Sequence, residues 1–265
     1  MKDNRAGIGD ADEHFAFGEN WQRFLALIDG ARIAAAEQSL KRMLAVDSLT
    51  AKSFIDVGSG SGLFSLAARR LGAKVSSFDY DPRSVACTEE LKRRYFAGDP
   101  EWVVQQGSIL DRDWVRSLGR FDVVYSWGVL HHTGALWQAI ENAVSLVNSS
   151  GELFIAIYND QGPISQYWAW VKGLYARRPF RPFLIALHWP YLVGARWVWR
   201  TISRRPLERG MSYQRDLIDW LGGYPFEVAK PREVIEFLGE RGLILASLKD
   251  CGTRHGCNEF VFRKT

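Results

Sequence analysis

Only three cysteines, Cys87, Cys251 and Cys257, occur in 265 residues. So few cannot build a disulfide framework, and they fit a reducing compartment. Their spacing with His255 matches no zinc pattern and offers no evident fourth ligand, so no metal is expected. The opening residues Met1 to Gly7 lack the apolar core of a secretory signal, and the expectation is a cytoplasmic protein. Long hydrophobic runs are also missing. The nearest candidate, Pro182 to Trp199, is broken by His188 and Arg196 and is short against the ~20 residues a membrane-spanning helix needs. Charge of one sign is scarce too: 34 basic against 30 acidic residues leaves +4. That total does not by itself imply a nucleic-acid partner. With 47% hydrophobic residues, the length suits one sizeable α/β domain plus an insertion.

What is present starts with Phe54-Ile55-Asp56-Val57, an apolar run that stops at Gly58-Ser59-Gly60-Ser61-Gly62 and passes into Leu63 to Leu71. This reads as strand, glycine turn and helix, with Leu63, Leu66, Ala67 and Arg70 at helical spacing. Glycines let the backbone turn sharply and leave no side chain between main chain and ligand. A nucleotide-like ligand therefore has a place at the carboxyl end of this strand. The dinucleotide pattern GxGxxG would require glycine at position 63, which is Leu63; the spacing here is GxGxG. A second apolar strand, Lys74 to Phe78, ends at Asp79, 21 residues after Gly58, where a carboxylate can accept from ribose hydroxyls.

Together with Trp127-Gly128-Val129-Leu130-His131-His132, these segments resemble the class I S-adenosylmethionine-dependent methyltransferases over roughly residues 50 to 160 and again near the C-terminus. The resemblance implies S-adenosyl-L-methionine as cofactor. It places the methionine part on Asp56, Gly58, Ser59, Gly60 and Gly62, the ribose on Asp79 with Tyr80 beside it, and the adenine near Ser108 and Ile109, with Trp127 close by. One position departs from the family pattern: Gly107 is followed by Ser108 where an acid is common. The implied fold is a Rossmann-like, doubly wound sheet of seven strands, the last antiparallel, carrying N-terminal helices and a large helical insertion after the fifth strand.

Taken in order, residues 1–50 form a helical leader, 51–160 the cofactor-binding core, 161–228 an inserted aromatic and basic lid, and 229–265 complete the sheet. Asp81-Pro82 marks a helix start, the carboxylate capping free amides and the proline filling the first turn. Trp102 to Gln106, Phe121 to Ser126 and Gly151 to Tyr158 read as strands, Ala135 to Val147 as a helix. In the insertion, tryptophans alternate with arginines. It is either a lid that packs its rings inward or a surface that meets lipid.

Methyl transfer is an in-line displacement in which the protein chiefly positions a nucleophile, and a hydroxyl acceptor also needs a base. His131, after the fourth strand, and His255, between the last two strands, are the base candidates. Substrate contacts are expected from Phe17, Trp21, His132, Tyr158, Asn159, Asp219 and Tyr224, with Asn20 and Arg32 as further leader candidates. The expected activity is O-methylation of a small molecule. Alternatives are a lipid-like or glycan acceptor at a membrane surface, S- or N-methylation, and a cofactor-binding protein without turnover. A nucleic-acid acceptor is not expected, since Ser126-Trp127-Gly128-Val129 has nothing of the Asn/Asp-Pro-Pro-aromatic segment of base-amine methylating relatives.

Overall fold

The structure is a computed structural model that describes Leu25, residues 28–190, 220–254 and 256–265. Two compact units divide these residues: Pro163–Phe226 belongs to one, and the stretch up to Gly162 together with Glu227–Thr265 to the other.

The larger unit is the wound sheet. Its elements are α1 (Gly30–Leu44), β1 (Ser53–Val57), α2 (Leu63–Arg70), β2 (Lys74–Asp79), α3 (Pro82–Tyr95), β3 (Trp102–Gln106), α4 (Arg112–Ser117), β4 (Phe121–Trp127), a single turn Leu130–His132, α5 (Leu136–Ser145) and β5 (Val147–Tyr158), closed by α8 (Pro231–Gly239), β6 (Leu243–Lys249) and β7 (Cys257–Lys264). The sheet order is β3-β2-β1-β4-β5-β7-β6. Strands β1 to β5 pair in parallel, and β7 runs antiparallel to both neighbours. The expected sheet is thus present, including its reversed final strand.

Side-chain alternation explains the layering, since successive residues of a strand face opposite sides. Ile55 and Val57 join the core beneath α4, α5 and α8, whereas Phe54 joins the core beneath α1, α2 and α3. On that second face, Tyr125 lies between Phe54 and Phe154 of the flanking strands, with ring centroids at 5.8 and 4.9 Å. Phe64 of α2 stacks on the same ring at 4.9 Å. Offset and edge contacts of this kind add to the burial of large rings. Asp81 caps α3 as expected, accepting from the Arg83 amide at 2.8 Å.

Two boundaries differ from the sequence expectation. The helix expected over Ala135–Val147 ends at Ser145, and β5 begins at Val147 rather than Gly151. Val147 pairs with Phe121 ahead of an irregularity in register, so sheet contact draws a β-branched residue out of the helical pattern. Helix α4 lies in a stretch to which the sequence reading assigned no element.

The cap on α5 comes from far away. Its own N-cap residue, Ala135, has no side chain to satisfy the free amides. Both carboxylate oxygens of Glu227 accept from the Leu136 amide, at 3.0 and 3.1 Å. Immediately beside this contact the Glu227 amide donates to the His131 carbonyl at 2.9 Å, and the Ala229 amide donates to the Tyr158 carbonyl at 3.0 Å. Residues 227–229 thus tie together the ends of β4, α5 and β5.

In the smaller unit, α6 (Pro163–Ala176) and α7 (Arg181–Trp189) pack through Trp168, Val171, Tyr175 and Leu184, with Leu221. Arg181 donates to the Tyr175 and Ala176 carbonyls, satisfying the last turn of α6. The tryptophans and arginines from Tyr191 to Arg205 lie outside the described residues.

Glu227→Ala removes a cap and is expected to cost about 1 kcal/mol. The check is a thermal melt with hydrogen exchange: the Leu136 amide should exchange faster in the variant, while amides in β1 keep their protection.

Candidate functional site

The carboxyl edge of the larger sheet is built around the turn after β1. Gly58, Gly60 and Gly62 have φ of +78°, +55° and +79°, a region that only glycine enters without strain. Gly58 carries a second restriction, because a Cβ there would lie 2.5 Å from both methyl groups of Val129. At Gly62 a Cβ would meet the α-carbon of Thr88 at 2.9 Å, so the third glycine lets α2 approach α3. Thr88 also meets Ser59, hydroxyl to hydroxyl, at 2.9 Å.

Asp79 clamps this turn to the next loop. Its two oxygens accept from the Gly60 and Asp81 amides, each at 2.9 Å. The carboxylate stays half-buried, with lone pairs left for further donors. Burial lifts its pKa to about 6, against the lowering effect of the Gly60 amide.

Asp56 occupies the other side of the turn and is buried. Strand alternation places it on the α2 face, where Ser65 donates to its carboxylate at 2.6 Å. Behind Ser65 the chain continues: Ser77 donates to Ser65 at 2.8 Å, and the Trp102 indole N–H donates to Ser77 at 2.9 Å. Each hydroxyl in this row both accepts and donates, which leaves the carboxylate as its terminal acceptor. Desolvation raises Asp56 to about 7, with the Ser65 hydrogen bond pulling the other way and the Asp79 charge adding to the rise.

At the end of β3, the Gly107 amide donates to the Asp79 carbonyl at 3.0 Å. A Cβ on Gly107 would strike the Trp114 ring at 2.1 Å, so Trp114, which meets Phe78 edge to face at 4.9 Å, closes over this position. The Ser108 hydroxyl accepts from the Leu110 amide at 3.2 Å. Ile109 places its side chain in the core and its carbonyl accepts from Asn142 at 2.8 Å. Tyr80 is exposed beside Asp79, and its carbonyl accepts from Gln106. Trp127 packs on the same core as Phe54 and Tyr125.

Three rings meet where β4 and β5 end. The His131 centroid lies 4.0 Å from Tyr158 and 4.6 Å from His132, and His132 lies 5.4 Å from Tyr158. His131 is buried, whereas His132 is partly exposed. Burial pushes the Tyr158 phenol above its usual range, so it remains a proton donor at neutral pH. Only one residue separates Val129, which crowds Gly58, from His131.

Other expected residues fall differently. The Asn159 amide donates to the Gly252 carbonyl at 2.7 Å and its oxygen accepts from Asn258 at 3.1 Å, so both ends hold the loop that leads into β7. Tyr224 belongs to the smaller unit, where its ring approaches Gly173. Arg32 pairs with Asp29, the cap of α1. Phe17, Asn20, Trp21, Asp219 and His255 lie outside the described residues. Sequence reasoning missed Ser65, Ser77, Trp102, Trp114 and Glu227. A serine on the otherwise apolar face of α2 was the available signal for the first.

A family model described as a methyltransferase domain matches residues 28–228, well over half of the chain. The chain belongs to this family, and its fold is that of the class I S-adenosylmethionine-dependent methyltransferases its sequence resembles. Among solved structures it is similar to magnesium protoporphyrin IX methyltransferase from Synechocystis PCC 6803, at 12% identity and TM-score 0.58, covering 98% of this chain and 100% of that one. It is also similar to an O-methyltransferase family protein from Burkholderia thailandensis, at 13% identity and TM-score 0.57, covering 92% of this chain and 59% of that one. A third is a methyltransferase from Listeria monocytogenes described as S-adenosylmethionine-dependent, at 16% identity and TM-score 0.53, covering 88% and 99%. No protein of curated function matches the sequence.

The two carboxylates set a pH dependence. Their folded pKa values lie above the ordinary 3.8, so between about pH 4 and 7 the native state binds more protons than the unfolded chain. Stability from this source is present at the low end of the window and is lost as pH rises through it. A melting series on ligand-free protein should show a lower midpoint at about pH 8 than at about pH 5, and Asp56→Asn should flatten the difference. Gly58→Ala should weaken cofactor binding measured by calorimetry, and adding Val129→Ala should restore it only in part because the positive φ remains.

Proposed function

We propose that the chain methylates an oxygen of a small-molecule acceptor, with the histidine pair after β4 taking the proton. When bound, S-adenosyl-L-methionine supplies a methyl group already activated by a positive sulfur. The residues of the turn fit that group. Asp79 would accept from the ribose hydroxyls, since its clamped oxygens keep lone pairs for further donors. Gly58, Ser59 and Gly60 would lie along the methionine portion, with no side chain from either glycine in the way. Asp56 would ionise against a cationic ligand, and Tyr80, Ser108, Ile109 and Trp127 would surround the base.

The cluster of His131, His132 and Tyr158 is the observation that carries the acceptor reading. These rings stand at the carboxyl ends of β4 and β5, beside the residue that packs on Gly58. An imidazole is the side chain suited to removing a hydroxyl proton near neutrality. His132 exposes ring surface to an acceptor, while His131, held through its carbonyl by Glu227, backs it. Tyr158, kept protonated, orients the pair or donates to the acceptor. His255 is the second base candidate from the sequence. A lipid-like or glycan acceptor is the second reading, favoured by the exposed aromatics of α6 and α7.

Incubation with labelled cofactor and a metabolite extract, followed by product mass, tests the acceptor class: a labelled hydroxyl product supports the proposal, and a labelled thiol or amine refutes the oxygen assignment. Loss of a general base should lower kcat on the order of a hundred- to ten-thousandfold. His131→Ala and His132→Ala are therefore expected to divide that effect while leaving cofactor affinity unchanged. Full turnover in the double variant would remove both from the mechanism.

A further inference from the structure

The smaller unit carries an unusual surface. Of the thirteen large apolar side chains that the described residues expose, seven lie between Ile164 and Trp189. On α6 these are Ile164, Tyr167 and Trp170, and on α7 they are Phe183, Leu187 and Trp189. Each helix also has a buried apolar stripe, Trp168, Val171 and Tyr175 on one and Leu184 on the other. Both helices are thus apolar on the face that packs and again on a face turned to solvent. A helix stabilised by packing alone needs only the first.

Charge sharpens the point. From Gln161 to Leu207 the chain has no aspartate or glutamate, while it has Lys172 and seven arginines. Within the described part, Arg177 and Arg178 are exposed at the junction of the two helices, as is Phe180. Lys172 is buried against Trp220 and Phe226 and takes no part in that surface. No helix among the described residues is long and apolar enough to cross a membrane. Exposed rings that sit at headgroup depth, arginines between them and the absence of carboxylates are what an anionic bilayer surface selects.

We propose that the exposed face of α6 and α7 seats on the surface of an anionic lipid bilayer, with both helices lying in the interface plane. Trp170, Phe183 and Leu187 enter the headgroup layer, and Arg177 and Arg178 meet the lipid phosphates. A second copy of the chain is the other conceivable cover, but two such faces would bring like-charged arginines together without a carboxylate in the same stretch to neutralise them. The proposal concerns where the protein resides and is independent of which acceptor atom is methylated.

Sedimentation of the full chain with vesicles tests it. Vesicles of phosphatidylcholine and phosphatidylglycerol in equal parts should retain the protein, and vesicles of phosphatidylcholine alone should retain far less. Arg177→Gln should weaken the anionic binding about fivefold, and high salt should abolish most of it. Phe183→Ser with Leu187→Ser should release the protein from both vesicle types while its circular dichroism spectrum stays unchanged. Should that variant misfold, Trp170→Ser, which changes a side chain 61% exposed, gives the same readout. Equal binding to both vesicle types, undiminished binding of the variants, or lipid-free dimerisation abolished by Phe183→Ser would each overturn the proposal.

Discussion

Two backbone amides, those of Gly60 and Asp81, converge on the carboxylate of Asp79, and the cofactor edge depends on that convergence. The first amide belongs to the turn after β1 and the second to the loop after β2, so one side chain holds two adjacent strand ends together. Such charge-assisted bonds are stronger than neutral ones and hold their partners in place. The same carboxylate is the one proposed to meet the ribose. Rigidity of the turn thus comes from one side chain.

Around that clamp the protein accumulates buried acid. Asp56 and Asp79 lie near enough that the charge of one raises the pKa of the other, and the hydroxyl row from Trp102 through Ser77 and Ser65 offsets only part of the desolvation of Asp56. Without a bound cation this pairing disfavours the ionised fold. A positive charge near the ends of these two neighbouring strands would favour the ionised form of both carboxylates.

The segment 227–229 gives the ends of β4 and β5 an equivalent organiser. Glu227 closes the helix that follows the histidines and at the same step binds the carbonyl of His131; Ala229 then binds that of Tyr158. The ends of β4 and β5 that carry the three rings are thus joined to this segment through two backbone bonds. The smaller unit contributes its own chemistry, a core of Trp168, Tyr175 and Leu184 and a second apolar surface studded with arginine.

The strands, the glycine turn, Asp79 and the Asp81 cap were legible from the residues alone, because each reflects a local rule: an apolar run that stops at a turn, a positive φ that only glycine tolerates, a carboxylate at a strand end or ahead of a proline. Those rules act over a few residues and need no knowledge of what packs beyond them. Helix α4 and the early start of β5 were not legible, since Val147 joins the sheet by pairing with Phe121, 26 residues earlier in sequence. The partners of Asp56 come from α2, β2 and β3, and the cap of α5 comes from a residue 91 positions away. Nor could periodicity say which of two adjacent histidines would be enclosed. Sequence by itself determined the glycine turn after β1, because its geometry is written into single residues. Tertiary structure alone decided the hydroxyl row, the ring cluster and the second apolar face, because contacts between distant segments exist only once the elements have packed.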